Sequence, residues 1–206
     1  MIQNNGTLNV YDGVKIGNAY VTSSGAGGAV YNSGTFYMHG GEVSWNAVAR
    51  SNDGTGAGIY CGPESKTTVF YLNGGKVSNN TAVDYSTKSA DGGGIAVDKG
   101  TIYINGGTIC NNRAATGGSD AAADGGGIIA RVGAKIYMNA GSIEKNFAGG
   151  FGGGVLLWNS TLDMRGGTIA NNFARNGGGV GMSTNSKSTF HMFNDATVTN
   201  NYAEYG

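Results

Sequence analysis

Hydrophobic and polar residues alternate along most of this chain, and the alternation recurs in units of similar sequence. The two clearest units are DGGGIIARVGAKIYMNAGSIEKNFA, which begins at Asp124, and FGGGVLLWNSTLDMRGGTIANNFA, which ends at Ala174. Each unit starts with a glycine triplet and an apolar residue and ends with a Gly-x-apolar-x-x-Asn-x-Ala segment. Because the period between these anchors is two residues, the pattern predicts β-strands rather than helices.

Four looser units surround these two, and the apolar residue after the glycines recurs at intervals of 25 to 36 residues. Each unit predicts three short strands, broken by Gly or Asn where the chain must turn. Stacking of successive units would pair each strand in parallel with its copy in the next unit. The expected fold is all-β, a right-handed parallel β-helix of about six to seven coils, with residues 1–206 forming one domain. The aligned apolar anchors are Val30, Ile59, Ile95, Ile128, Val155 and Val180.

One asparagine recurs near the end of every unit, and we expect it to point into the solenoid. Buried amides need hydrogen-bond partners, and the same amide one coil away supplies one. The pattern therefore predicts a structural asparagine ladder rather than a ligand or metal site. The ladder consists of Asn46, Asn80, Asn112, Asn146, Asn172 and Asn201.

The outward positions of the second strand carry four tyrosines at the spacing of the coils. Rings with polar tips are suited to binding sugars or other extended polymers. The alternative is structural, because sheets favour tyrosine and stacked like side chains stabilise neighbouring strands. The predicted binding strip is Tyr37, Tyr71, Tyr103 and Tyr137, flanked by His39, Asn73, Asn105, Asn139 and Arg165.

A second outward strip lies on the first strand and ends beside Trp158, another candidate binding residue. An exposed apolar strip marks contact with a partner. Alternatively, the long loops at residues 83–90 and 115–123 fold back and cover it. The strip consists of Tyr31, Tyr60, Ala96, Ile129 and Leu156.

The amino-acid composition argues against several classes of function. Thirteen acidic and thirteen basic residues give no net charge, so the basic surface typical of nucleic-acid binding is absent. No apolar run approaches the ~20 residues of a membrane helix, and no signal peptide is visible. Two cysteines, Cys61 and Cys110, cannot build a disulfide framework, and we expect both to be free thiols.

Candidate catalytic chemistry is sparse, and neither a catalytic motif nor a cofactor or metal site is predicted. Asp163, Arg165 and His191 fall on one face of neighbouring coils, where an acid beside a histidine could serve acid–base catalysis. Asp98 and Arg131 occupy equivalent first-strand positions, which suggests a solvated ion pair. Asp120 and Asp124 share a loop that could hold calcium only weakly.

The repeat resembles the adhesin-type β-helix repeats of large bacterial or archaeal surface proteins. It is also similar to the polymorphic outer-membrane protein repeats, whose Gly-Gly-Ala-[Ile/Val] motif is matched by residues 27–30. This resemblance implies a non-enzymatic, extracellular module on a bacterial cell surface, cut from a longer repeat protein, that contacts glycan or a host protein. The alternative is a carbohydrate-active lyase or hydrolase of the pectate-lyase-like class, whose Asn-Thr-Asp, Gly-His-Gly and Arg-Ile-Lys signatures do not occur here.

Overall fold

The computed structural model describes residues 1–22, 26–50, 54–62, 68–85, 89–116, 123–184 and 187–205. Within these ranges the chain forms 31 strands and no helix. The described part therefore has no helix with the length and hydropathy needed to cross a membrane. Every strand pair is parallel, and the strands stack into a β-solenoid of about six turns, which confirms the predicted fold class.

Three seven-stranded sheets correspond to the three predicted strands of each unit. The first sheet contains Ile2–Asn4, Val30–Asn32, Ile59–Cys61, Ile95–Asp98, Ile128–Arg131, Val155–Trp158 and Val180–Met182. The second contains Thr7–Val10, Thr35–Met38, Val69–Leu72, Thr101–Ile104, Lys135–Met138, Thr161–Met164 and Thr189–Met192. The third contains Lys15–Gly17, Glu42–Ser44, Lys76–Ser78, Thr108–Cys110, Ser142–Glu144, Thr168–Ala170 and Thr197–Thr199.

A fourth seven-stranded sheet, which the sequence pattern did not predict, follows the ladder asparagines. Its inward positions are mostly alanine, as at Ala82, Ala114, Ala148 and Ala174, all fully buried. Alanine is depleted in strands and gives a weak alternation, so this strand is hard to recognise from sequence. The sheet contains Tyr20–Val21, Ala47–Arg50, Thr81–Asp84, Arg113–Thr116, Phe147–Phe151, Phe173–Asn176 and Tyr202–Tyr205.

A short fifth sheet precedes the glycine triplets in the middle coils. It pairs Gly54–Thr55 with Ala90–Asp91, and Ala90–Asp91 with Ala123–Asp124. Its position brings acidic side chains next to the end of the first sheet.

The core is a continuous column in which like residues pair with like across the coils. Ile59 pairs with Ile95, which pairs with Ile128, and all three are fully buried. Met182 and Met192, at positions that are apolar in most coils, are 50% and 47% exposed. They belong to the last coil, which has a neighbouring coil on one side only. Each inner coil thus buries its neighbour's apolar surface as well as its own.

The six ladder asparagines form an unbroken hydrogen-bonded column at the corner between the third and fourth sheets. Each of the first five side-chain amides donates to the Oδ1 of the next asparagine, at 2.9 to 3.0 Å. Each Nδ2 also donates to a main-chain carbonyl of the preceding coil, as Asn112 does to Val77 at 2.9 Å. The residue before each asparagine has a positive φ, including Asn79, Asn111 and Lys145. The column therefore satisfies main-chain and side-chain groups at the turn.

Each position of a glycine triplet requires glycine for its own steric reason, as Gly92, Gly93 and Gly94 illustrate. Gly92 has φ +67°, in the left-handed region that glycine tolerates best. A Cβ on Gly93 would come within 3.0 Å of the main chain of Arg113 in the fourth sheet. A Cβ on Gly94 would lie 3.0 Å from the amide of Asn112 in the ladder. The triplet thus allows the chain to turn tightly against both the fourth sheet and the asparagine column.

Candidate functional site

The four predicted tyrosines form one column on the outer face of the second sheet. Tyr37, Tyr71, Tyr103 and Tyr137 occupy the same register in consecutive strands. Their ring centroids are 4.7, 4.8 and 5.2 Å apart, and the ring planes deviate by 7°, 8° and 16°. Each ring therefore covers the face of the next, and what the column presents outward is ring edges and hydroxyl groups.

Both ends of the tyrosine column are extended by other planar groups. His39 stacks between Tyr11 and Tyr37, with ring centroids 4.9 and 6.0 Å away. At the other end, the Arg165 guanidinium lies 5.9 Å from the centroid of the Tyr137 ring. Burial raises the pKa of the Tyr71 hydroxyl, and the neighbouring Tyr37 and Tyr103 raise it by a smaller amount. The Tyr71 hydroxyl can therefore donate and accept hydrogen bonds to a ligand.

An exposed amide ladder runs beside the tyrosine column. Asn139 Nδ2 donates to Asn105 Oδ1 at 2.8 Å, and Asn105 Nδ2 donates to Asn73 Oδ1 at 2.9 Å. Asn9 Oδ1 lies 3.4 Å from His39 Nε2. The second sheet therefore displays two parallel rows of polar groups repeated at the spacing of the coils.

The candidate acid–base group continues the register of the tyrosine column. Asp163 pairs with Tyr137 on one side and His191 on the other. His191 Nδ1 lies 2.9 Å from Asp163 Oδ1, and the His191 side chain is 54% exposed. The structure thus brings these two residues together on an open face, whereas Arg165 reaches the Tyr137 ring.

Four of the five residues of the first-strand strip are buried and Tyr31 is partly buried, so the expectation of an exposed partner-binding strip is wrong. Tyr60 is 8% exposed, and Ala96, Ile129 and Leu156 are at most 1% exposed. Glycines that precede each first strand lie directly over it: a Cβ on Gly92 would be 2.9 Å from the Cβ of Ala96. The glycine turn thus covers the strip. Cover by the two long loops stays a prediction, because residues 86–88 and 117–122 lie outside the described residues.

Trp158 stays accessible at the end of its first-sheet strand, 50% exposed. It borders a cavity of about 550 Å³ that Asp91, Arg131 and Asn159 also line. It borders a second cavity of about 180 Å³ together with Asp124. Among the described residues, no aromatic ring or guanidinium stacks on the indole.

Two residues that line the larger cavity, Asp91 and Arg131, belong to a polar network that also includes Asp98 and Tyr60 and joins three coils. Arg131 Nη1 lies 2.6 Å from Asp91 Oδ2, and Arg131 Nε lies 2.8 Å from Asp98 Oδ1. Arg131 Nη2 donates to Asp98 Oδ2 at 3.2 Å, and the Tyr60 hydroxyl donates to the same oxygen at 2.9 Å. Asp98 is only 8% exposed. The interpretation of Asp98 and Arg131 as a solvated surface pair is therefore wrong, because the fifth sheet and Tyr60 enclose them.

Asp124 lies in the smaller cavity and accepts the Phe151 N–H at 2.7 Å. Burial raises the pKa of its carboxyl to about 6, against the opposing effects of that hydrogen bond and of Arg131. Asp120, its predicted calcium partner, lies outside the described residues. The described part of the chain has no group of three or more His, Cys, Asp or Glu residues placed to hold a metal.

A second aromatic column on the fourth sheet was missed by sequence reasoning. Phe147 and Phe173 stack with centroids 5.2 Å apart, and Phe173 stacks on Tyr202 at the same distance. The Arg113 guanidinium lies 4.5 Å above the Phe147 ring. All four residues directly follow a ladder asparagine, so aligning that position across the units would have revealed the column.

Comparison with protein-family models, with curated proteins and with solved structures finds no significant match to this chain.

Proposed function

We propose that this chain is a non-enzymatic structural and adhesive module that binds an extended glycan, or a glycan-bearing host surface, through the tyrosine column. The observation that carries the proposal is the unbroken row of outward tyrosine hydroxyls beside a row of exposed asparagine amides. Both rows repeat at the spacing of the coils, so their polar groups suit a ligand that is itself periodic.

The stacking of the rings determines how such a ligand would bind. Because neighbouring tyrosines cover one another's faces, a sugar ring cannot stack on the inner members of the column. Hydroxyls and amides are instead available as donors and acceptors for sugar hydroxyl groups. The ligand would therefore lie along the solenoid axis, held by many hydrogen bonds, each contributing about 1 kcal/mol.

The cellular setting follows from the resemblance to adhesin-type repeats. A module of that kind is extracellular, displayed on a bacterial cell surface, and extended so that it carries binding residues away from the cell. The absence of net charge fits contact with a neutral glycan better than contact with nucleic acid.

The test is a glycan-array screen of the purified chain beside a Tyr71→Phe/Tyr103→Phe double variant. Phenylalanine keeps the stacked column and removes two hydroxyls, so folding should be preserved while affinity falls. Two lost hydrogen bonds of about 1 kcal/mol each correspond to a roughly thirtyfold weaker Kd. Tyr20→Phe is the matched control, because Tyr20 is 64% exposed and lies on the fourth sheet. Unchanged binding by the double variant would exclude the column as the binding surface.

The second candidate is a carbohydrate-active enzyme, which the 2.9 Å contact between His191 and Asp163 favours. A histidine that is oriented by a neighbouring carboxylate can act as a general base. Incubating the chain with neutral and acidic polysaccharides and measuring new reducing ends or unsaturated products tests this activity. Activity that His191→Ala abolishes would support it, and no turnover with any substrate would exclude it for those polymers.

A further inference from the structure

Trp158 and the two cavities beside it form a compact cleft that differs in kind from the tyrosine column. The indole is half exposed, and no described ring covers its faces, whereas the column tyrosines cover one another. An exposed indole face offers a flat apolar platform with a single polar N–H at its edge. This surface fits the apolar face of one pyranose ring.

The polar groups around the indole are held in place before any ligand arrives. Arg131 makes contacts with both Asp91 and Asp98, and Asp98 is fixed further by the Tyr60 hydroxyl. These residues come from three successive coils, so the whole stack sets their positions. Preorganised polar groups beside an apolar platform lower the cost of binding a ligand.

The charges around the cleft favour a neutral ligand over an acidic one. Asp91 and Arg131 line the larger cavity, and Asp124 lines the smaller one. Among the described residues that line the two cavities, a uronate or a phosphate would therefore meet two carboxyl groups and one guanidinium. Hydroxyl groups, in contrast, can donate to the carboxylates and accept from Asn159, which lines the larger cavity.

The size of the cleft favours a short segment rather than a single small molecule. The larger cavity, at about 550 Å³, lies within the usual range for small-ligand sites. The smaller cavity also borders Trp158. A short chain of sugar residues can therefore place one residue on the indole and a neighbouring residue in an adjoining cavity.

We propose that the Trp158 cleft is a second binding site, specific for a neutral oligosaccharide whose central pyranose ring stacks on the indole. Asp91 and Arg131 bind hydroxyl groups of the oligosaccharide in the larger cavity, and Asp124 binds them in the smaller one. The site does not depend on the tyrosine column, so the two can fail separately.

The experiment follows Trp158 fluorescence in a Trp45→Phe background, where Trp158 is the only remaining tryptophan. The probes are short cello-, manno-, xylo- and chito-oligosaccharides, with oligogalacturonate as the acidic comparison, each titrated to about 10 mM to cover weak affinities. Calorimetry provides an independent Kd for wild-type protein. We expect a saturable fluorescence change with at least one neutral series and a smaller or absent change with the acidic one.

The variants separate the cleft from the column. Trp158→Ala should weaken binding about tenfold or more by removing the stacking platform, and Trp158→Phe should recover part of it. Trp45→Ala is the matched control, because Trp45 is 66% exposed and lies outside the cleft. Tyr71→Phe/Tyr103→Phe should leave cleft binding unchanged.

Three outcomes would overturn the proposal: no response to any neutral probe, full affinity in Trp158→Ala, or preference for the acidic probe. Because Trp158 is half exposed, its alanine variant should keep the wild-type unfolding midpoint, and this measurement distinguishes lost binding from lost fold.

Discussion

Replacing Asn112 with alanine should destabilise the solenoid far more than replacing a surface asparagine of the same type. The Asn112 side chain makes four hydrogen bonds in the centre of the ladder. It donates to Val77 O and Asn146 Oδ1, and it accepts from the main-chain and side-chain N–H groups of Asn80. Asn112 is 1% exposed and Asn80 is fully buried, so water does not readily replace these partners.

The expected magnitude follows from the groups left without partners. Asn112→Ala strands two buried donors of Asn80 and removes a donor from Val77 O, whereas Asn146 Oδ1 still accepts the Asn112 main-chain N–H. A buried polar group without a partner costs about 1–3 kcal/mol. Two stranded donors therefore imply a loss of about 3–4 kcal/mol in the free energy of unfolding.

The matched control is Asn105→Ala in the exposed amide ladder. Asn105 also donates to one asparagine and accepts from another, but its partners face solvent. Water replaces the lost amide there, so we expect a change within about 0.5 kcal/mol.

Urea denaturation of both variants gives the comparison, with amide hydrogen exchange to locate the effect. Because each coil contacts only its neighbours, loss of protection should be greatest in the coils of Asn80 and Asn146. Equal shifts for Asn112→Ala and Asn105→Ala would refute the reasoning, because burial would then make no difference to the ladder.

Three further predictions concern single residues. The pKa of the Asp124 carboxyl is about 6 in the folded protein, against an ordinary 3.8. The stabilisation of the folded state by the protonated carboxyl is therefore largest below pH 4 and is lost as pH rises to about 6. Between pH 4 and 7 the free energy of unfolding of the wild type, measured by urea denaturation, should fall by up to about 3 kcal/mol relative to Asp124→Asn. Parallel curves for the two proteins would contradict this. Lys145 has φ +54°, and Lys145→Asn should raise the free energy of unfolding by about 1 kcal/mol, because asparagine tolerates this conformation better; a lower melting temperature would exclude that reason. A Cβ on Gly126 would come within 3.0 Å of the Phe147 main chain, so Gly126→Ala should lower the free energy of unfolding by about 3 kcal/mol. Gly6 has open space around it, so Gly6→Ala should lower the free energy of unfolding far less in the same thermal denaturation assay.

The sequence pattern predicts those parts of the fold in which one residue type repeats at a fixed place in every coil. The tyrosine column and the asparagine ladder could be identified because register places each copy directly over the last. The fourth sheet could not, because its inward alanines give little alternation. Nor does local sequence show that the strip of Ile129 and Leu156 is covered, since the cover is a main-chain turn at glycine, which has no side chain to mark it.

The sequence pattern paired Asp98 with Arg131, and the two side chains are 2.8 Å apart, but the contact of Arg131 with Asp91 was beyond sequence reasoning. Arg131 and Asp91 are 40 residues apart, and they meet because the fifth sheet places Asp91 beside the end of the first. Because the units carry insertions of unequal length, an alignment of the units does not reveal this pairing. Contacts between residues that do not recur in the repeat must be read from the structure.

Surface features that repeat from coil to coil and features that occur once in the chain imply different kinds of ligand. A column in which four successive coils contribute the same tyrosine can bind at any of several equivalent positions, which suits a long periodic polymer whose affinity comes from many repeated contacts. The Trp158 cleft uses residues that occur once, so it offers one position and can distinguish one short oligosaccharide from another. If both surfaces bind, the column would supply avidity along a polymer and the cleft would select its sequence. Affinity for polymer in Trp158→Ala should then weaken less than affinity for a short oligosaccharide does.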